Sequence, residues 1–113
     1  MRYLCLAYGE EKDWSALSKP EQDELLAHDA LIRERGALMG AVETGVTTVR
    51  SWEGVPDVSL GPQGPIGTPL AGFSIIEADD IDEVVRLVAD TPCARARGAI
   101  EIRPIMMLNR EKL

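Results

Sequence analysis

The stretch that most constrains the fold is Gly61–Asp80, which reads GPQGPIGTPLAGFSIIEADD. Its first nine residues, Gly61–Pro69, hold three prolines and three glycines. Proline removes a backbone donor and disrupts both helix and sheet ladders, so these residues form a loop. Leu70–Ala78 follows as an apolar strand, with Phe73 and Ile75 on one side and Ile76 and Ala78 on the other. Asp79 and Asp80 then cap a helix and favour the positive end of its dipole. Ile81, Val84, Val85 and Val88 recur at helical spacing, and Thr91-Pro92 ends the helix.

The remaining elements are read outward from that unit. Arg2–Tyr8 is a strand with Tyr3, Cys5 and Ala7 on one side and Leu4, Leu6 and Tyr8 on the other. Both sides are largely apolar, which predicts that both are covered. Gly9–Trp14 is a polar turn, and Ser15–Leu17 offers a single turn of helix. Ser18, followed three residues later by Glu21 and with Pro20 in the first turn, predicts a helix start. That helix runs to about Arg35 and stops at Gly36. Its face carries Leu25, His28, Leu31 and Ile32. Ala37–Glu43 and the β-branched Val46–Trp52 are two strands, and the short Thr44-Gly45 turn predicts that they form a hairpin. Asp57–Leu60 is a weak extension. Ala99–Ile105 is the last strand, and Met106–Leu113 is a tail.

This order is β-α-β-β-α-β, an α+β class, ferredoxin-like arrangement with an antiparallel sheet. Its helices cover one sheet face. Tyr3, Cys5, Phe73 and Ile75 alternate with residues that are also apolar, and 113 residues supply no third layer. The expected solution is a homodimer through the sheet face, a dimeric α+β barrel. The length fits one domain over residues 1–113.

Charge and cysteine content narrow the function. A net charge of −7 argues against nucleic acid and against an anionic membrane surface as partners. The basic residues Arg95, Arg97, Arg103 and Arg110 with Lys112 read as a solvated face. No apolar run approaches the roughly 20 residues of a membrane span, and the N-terminus lacks signal-peptide character. Cys5 and Cys93 have neither CxxC nor other metal spacing. Cys5 reads as an inert core thiol, and Cys93 as either inert or reactive. The expectation is a cytoplasmic protein.

The ordered set of features resembles the YCII-related, or DGPF-domain, family of small bacterial proteins. The first strand ending in Tyr8-Gly9, then Trp14, is similar to that family's opening. His28 ahead of Gly36 matches its helix-one histidine. Thr47-Thr48-Val49-Arg50 matches its TTVR strand, and Gly72-Phe73 with Glu77–Glu83 its strand–helix junction. Pro92 and Glu101-Ile102-Arg103-Pro104 fit its end. The resemblance covers nearly the whole chain and implies a YCII-like dimeric α+β barrel. The chain departs from the family's DGPF signature, of which it retains only Gly61-Pro62. Leu60 stands in place of the aspartate and Gln63 in place of the phenylalanine.

The resemblance implies a small-molecule lyase- or isomerase-like enzyme, with His28 as general acid or base and, in relatives, one half of a His–Asp pair. It equally admits a non-catalytic ligand-binding or regulatory protein with a sigma factor as partner. His28 is the one histidine in the chain, so imidazole chemistry rests on it, with Glu24 one turn earlier to orient it. A partly buried histidine bonded to a backbone carbonyl is the other reading. Arg50 either binds a substrate carboxylate or pairs with Glu43 across the hairpin. Trp14 either lines a ligand pocket or packs, as does Trp52. Gly61 and Pro62 complete the candidate ligand site. Glu77 and Arg103 are expected to pair. The glycine-rich loop lacks the Lys-[Ser/Thr] of a P-loop, and no HExxH, GxSxG or metal-ligand set occurs, so no metal and no cofactor is expected.

Overall fold

The structure, a computed structural model, describes residues 1–61 and 67–108. Strand β1 is Arg2–Tyr8, followed by the short helix α1, Glu11–Ser15, and the long helix α2, Lys19–Glu34. Strands β2 (Leu38–Ala41), β3 (Thr47–Arg50), β4 (Asp57–Leu60) and β5 (Leu70–Glu77) come next. Helices α3 (Ile81–Val88) and α4 (Pro92–Arg95) precede strand β6, Ala99–Pro104. Four strands form one antiparallel sheet in the order β2-β5-β1-β6, which is the ferredoxin-like order expected of the α+β class.

The helix starts follow from local chemistry. Ser18 and Glu21 form a reciprocal capping box: the Glu21 amide donates to Ser18 Oγ at 3.3 Å, and the Ser18 amide donates to the Glu21 carboxylate at 3.2 Å. Ser18 Oγ also donates to the Glu21 carboxylate at 2.8 Å, and this bond, with that from the Ser18 amide, holds the Glu21 carboxyl below its usual range. Gly36 ends the helix with φ +92°, a conformation that side chains rarely adopt. At α3, Asp80 accepts from the Glu83 amide at 2.9 Å, and the Glu83 carboxylate accepts from the Asp79 amide at 2.8 Å. Both aspartates at the junction therefore take part in the cap.

The register sorts the sheet into two faces. Met39, Ser74, Cys5 and Ile102 form one row, and Ile76 and Tyr3 another; these face the helices. Tyr3, Cys5, Ile32, Ile76, Ala78, Val84 and Val88 make the core. Ile76 and Val84 are fully buried, each worth roughly 1.5–3 kcal/mol of hydrophobic burial. The opposite face carries the rows Leu38, Ile75, Leu4 and Gly40, Phe73, Leu6, and no element among the described residues covers it with a third layer.

Four sequence expectations are corrected. The hairpin of residues 37–43 with 46–52 does not form. β2 instead pairs with β5, where Leu38 meets Ile75 and Gly40 lies against Phe73, while β3 pairs with β4 in a separate two-stranded sheet. Asp57–Leu60 is thus a full strand, and Val49 opposite Val58 is its apolar pair. Glu77 and Arg103 do not pair, because β1 lies between their strands; Arg103 bonds Glu101 at 3.4 Å instead. The helical turn expected at Ser15–Leu17 comes earlier, as α1 from Glu11, and a further one that was not expected, α4, follows Thr91, whose Oγ1 donates to the Val88 carbonyl at 2.6 Å.

The β3–β4 ribbon leaves the body at the end of β2 and returns at β5. Gly61 closes its base, its amide donating to the Val46 carbonyl and its carbonyl accepting from Thr48 Oγ1, both at 2.8 Å. The two strands pack chiefly on each other. The molecule measures 49 × 36 × 20 Å with a radius of gyration of 15.8 Å. A compact chain of this length would have about 13 Å.

Candidate functional site

Helix α2 aims Leu25, Asp29 and Ile32 at the sheet by their spacing of four and three. Two of these are apolar and buried. The third, Asp29, is a half-buried carboxylate. Above the same part of the sheet, Thr91-Pro92 opens α4 and presents Cys93. Between them lies a cavity of about 180 Å³ lined by Asp29, Ile32, Ser74, Thr91 and Cys93 over a floor that includes Ala7. A second cavity of about 230 Å³ is walled by Trp14, Val42, Leu70 and Glu10. The two share Ala71, Pro92 and Cys93. Each alone is smaller than the roughly 300 Å³ of a small-molecule site; they adjoin at these shared residues and form the two parts of one surface cleft.

The polar groups in the cleft differ in how far they are satisfied. Thr91 spends its hydroxyl on Val88, and the Ser74 hydroxyl bonds the Cys5 thiol. No hydrogen-bond partner among the described residues meets the Asp29 carboxylate. Burial pushes the Asp29 carboxyl above the usual aspartate range, and the Arg33 charge offsets this only in part. Burial also raises the Cys93 thiol, and the Asp29 charge raises it further. Both effects disfavour the thiolate, which is the nucleophilic form. Burial raises Cys5 as well.

The residues expected from sequence are dispersed. Trp14 lines the cleft, and its main-chain carbonyl accepts from Gln22 Nε2 at 2.9 Å. His28 is half-buried on α2 one residue before Asp29, but it lines neither of these two cavities. Arg50 does not pair with Glu43. Its guanidinium lies 5.3 Å over the Trp52 ring, out on the ribbon. Gly61 closes the ribbon's base, with φ +99°, and Pro62 lies outside the described residues. Among the described residues, no group of three or more His, Cys, Asp or Glu side chains is arranged to hold a metal ion. Sequence reasoning missed Asp29. The available signal was a carboxylate at the spacing of Leu25 and Ile32, on the face that periodicity assigns to the core.

A ferredoxin-like α+β domain with a cleft between its sheet and helices defines the class of protein. The chain belongs to the YCII-related domain family, whose model matches residues 1–109. Among solved structures it is similar to a 5-chloro-2-hydroxyhydroquinone dehydrochlorinase from Burkholderia phenoliruptrix in complex with 2,5-dihydroxybenzoquinone. The two are 19% identical, with 93% of each chain covered and a TM-score of 0.46. No curated protein matches the chain significantly.

Proposed function

We propose that this YCII-related protein is a small-molecule enzyme of lyase or isomerase type, acting in the cleft between α2, α4 and the sheet. Asp29 serves as its general acid–base group in place of the expected His28. The observation that carries this reading is the Asp29 carboxyl itself: half-buried, without a hydrogen-bond partner among the described residues, and opening into an apolar cleft. Desolvation moves such a carboxyl towards the pH at which it both accepts and returns a proton. A substrate ring packed on Trp14 and Leu70 would leave its polar end at Asp29.

The uncovered sheet face supports a second part of the proposal, a homodimer through Leu4, Leu6, Leu38, Phe73 and Ile75. Arg2 stands opposite Glu77 on that face, and Arg103 bonds Glu101, so the excess negative charge lies elsewhere. Two copies can therefore approach there without strong repulsion. Both cysteines are free thiols, which suits a reducing compartment. No helix among the described residues is long and apolar enough to cross a membrane.

The test is a turnover screen over carboxylated aromatics and lactones with the wild type, Asp29→Asn and His28→Ala. Loss of an acid–base group lowers kcat by about 10²–10⁴-fold. That loss is expected in Asp29→Asn, with His28→Ala retaining activity. Activity that survives Asp29→Asn and disappears in His28→Ala would return the role to the histidine.

A further inference from the structure

The β3–β4 ribbon has its polarity reversed for an isolated arm. Its register puts Thr47, Val49, Val58 and Leu60 on one side and Thr48, Arg50, Asp57 and Ser59 on the other. The apolar side is the one turned to solvent: Val49 is 61%, Val58 60% and Leu60 86% exposed, with Val55 at 75% and Trp52 at 85% in the connecting turn. Thr48, Arg50 and Ser59 on the polar side are each partly covered. A two-stranded ribbon of four-residue strands is at best marginally stable alone in water. Packed on little but itself among the described residues, this one needs a surface to lie against.

We infer that the ribbon is an arm that clasps a second copy of this chain. The inference rests on the sheet-face dimer proposed above. Three observations favour a copy over an unrelated partner. The arm rises from β2, an edge strand of the very sheet whose outer face is uncovered, so one association event covers both apolar surfaces. Arg50 stands opposite Asp57 in register, so the arm, like the sheet face, matches its charges locally. The area also calls for it. Four strands averaging about six residues give a sheet footprint of roughly 400 Å², only about half of the roughly 800 Å² per partner that a stable pair buries. Two arms, each laid on the other protomer by the two-fold axis, extend the contact on both sides.

Trp52 reports the docking directly. In a Trp14→Phe background it is the remaining tryptophan, and its emission reads its exposure. The protein is diluted stepwise while mass is followed by light scattering and emission by fluorescence, in parallel with a Val49→Lys/Val58→Glu variant. That pair keeps an opposite-charge cross-strand contact, so the ribbon itself is preserved. The expected result is a blue-shifted Trp52 emission in the dimer that moves to a water-like value as the mass halves. The variant is expected to dissociate at a concentration about a hundredfold higher or more. A dimer whose Trp52 emission stays water-like, and whose dissociation the variant leaves unchanged, overturns the arm while leaving the sheet-face dimer standing. A monomer at every concentration overturns both.

Discussion

Gly98 makes the closest backbone approach among the glycines of the described chain, and Gly98→Ala is the most exacting test of how the cleft is built. A β-carbon there would lie 2.0 Å from the Tyr8 carbonyl oxygen and 2.6 Å from that of Cys93. Both neighbours are backbone, so neither can swing aside as a side chain would. Bringing the nearer contact to 3.0 Å requires the end of β1 to part from residue 98 by about 1 Å. The Tyr8–Ala99 step is the last pair of the β1–β6 ladder, and opening it forfeits about one hydrogen bond, roughly 0.5–1.5 kcal/mol. Overpacking against the Cys93 carbonyl adds about 1–3 kcal/mol. The sum, about 2–4 kcal/mol, is a large part of the roughly 5–15 kcal/mol that holds a domain folded. Urea unfolding at a fixed protomer concentration should then show a midpoint lowered by about 1–2 M with an unchanged slope. Gly45→Ala is the control, because nothing lies within 4 Å of its β-carbon and its φ is not positive. A Gly98→Ala midpoint equal to that of wild type would refute the packing described for the β1–β6–α4 corner.

Other perturbations test the core, the cap and the site. Ile76→Ala removes a fully buried side chain and should cost about 2–5 kcal/mol in the same urea assay. Ser18→Ala removes the hydroxyl that caps α2 and should cost about 1 kcal/mol. The raised Asp29 carboxyl sets a sign: its native pKa lies above its unfolded one, so the stability it contributes is complete below the ordinary aspartate range and is lost as pH rises through the native value. Asp29→Asn should therefore melt higher than wild type at neutral pH, and the advantage should shrink as pH falls through the raised native value and be gone below the usual aspartate range, as thermal melts across pH would show. An advantage that grows on acidification would contradict the burial assigned to this carboxyl.

The fold was legible wherever local chemistry decides it. Ser18 with Glu21, Gly36, and Asp79 with Asp80 mark their helix ends by hydrogen bonds among near neighbours, and all three ends lie where the sequence puts them. Pairing was less legible. Val46–Trp52 is a good strand by composition, but nothing local says that its partner is Val58 rather than the strand before it. The choice is made by what β2 gains from meeting Phe73 and Ile75 on β5. The candidate site was the least legible part. The one histidine draws attention because of its chemistry, and a carboxylate at a core spacing looks like a surface residue until α4 closes over it. Arg50 and Gly61 look functional in a list of residues, yet one stacks on Trp52 and the other closes a ribbon.

The central claim is that ligands enter the cleft between Asp29 and Cys93. Amide chemical-shift mapping with the panel of carboxylated aromatics and lactones tests it most directly, comparing the wild type with a cleft-filling Cys93→Phe variant whose spectrum also reports that it is folded. Shifts are expected to cluster at Asp29, Ala71, Thr91 and Cys93 in the wild type, with none in the filled variant. Shifts centred on another surface, or shifts that persist with the cleft filled, would contradict it.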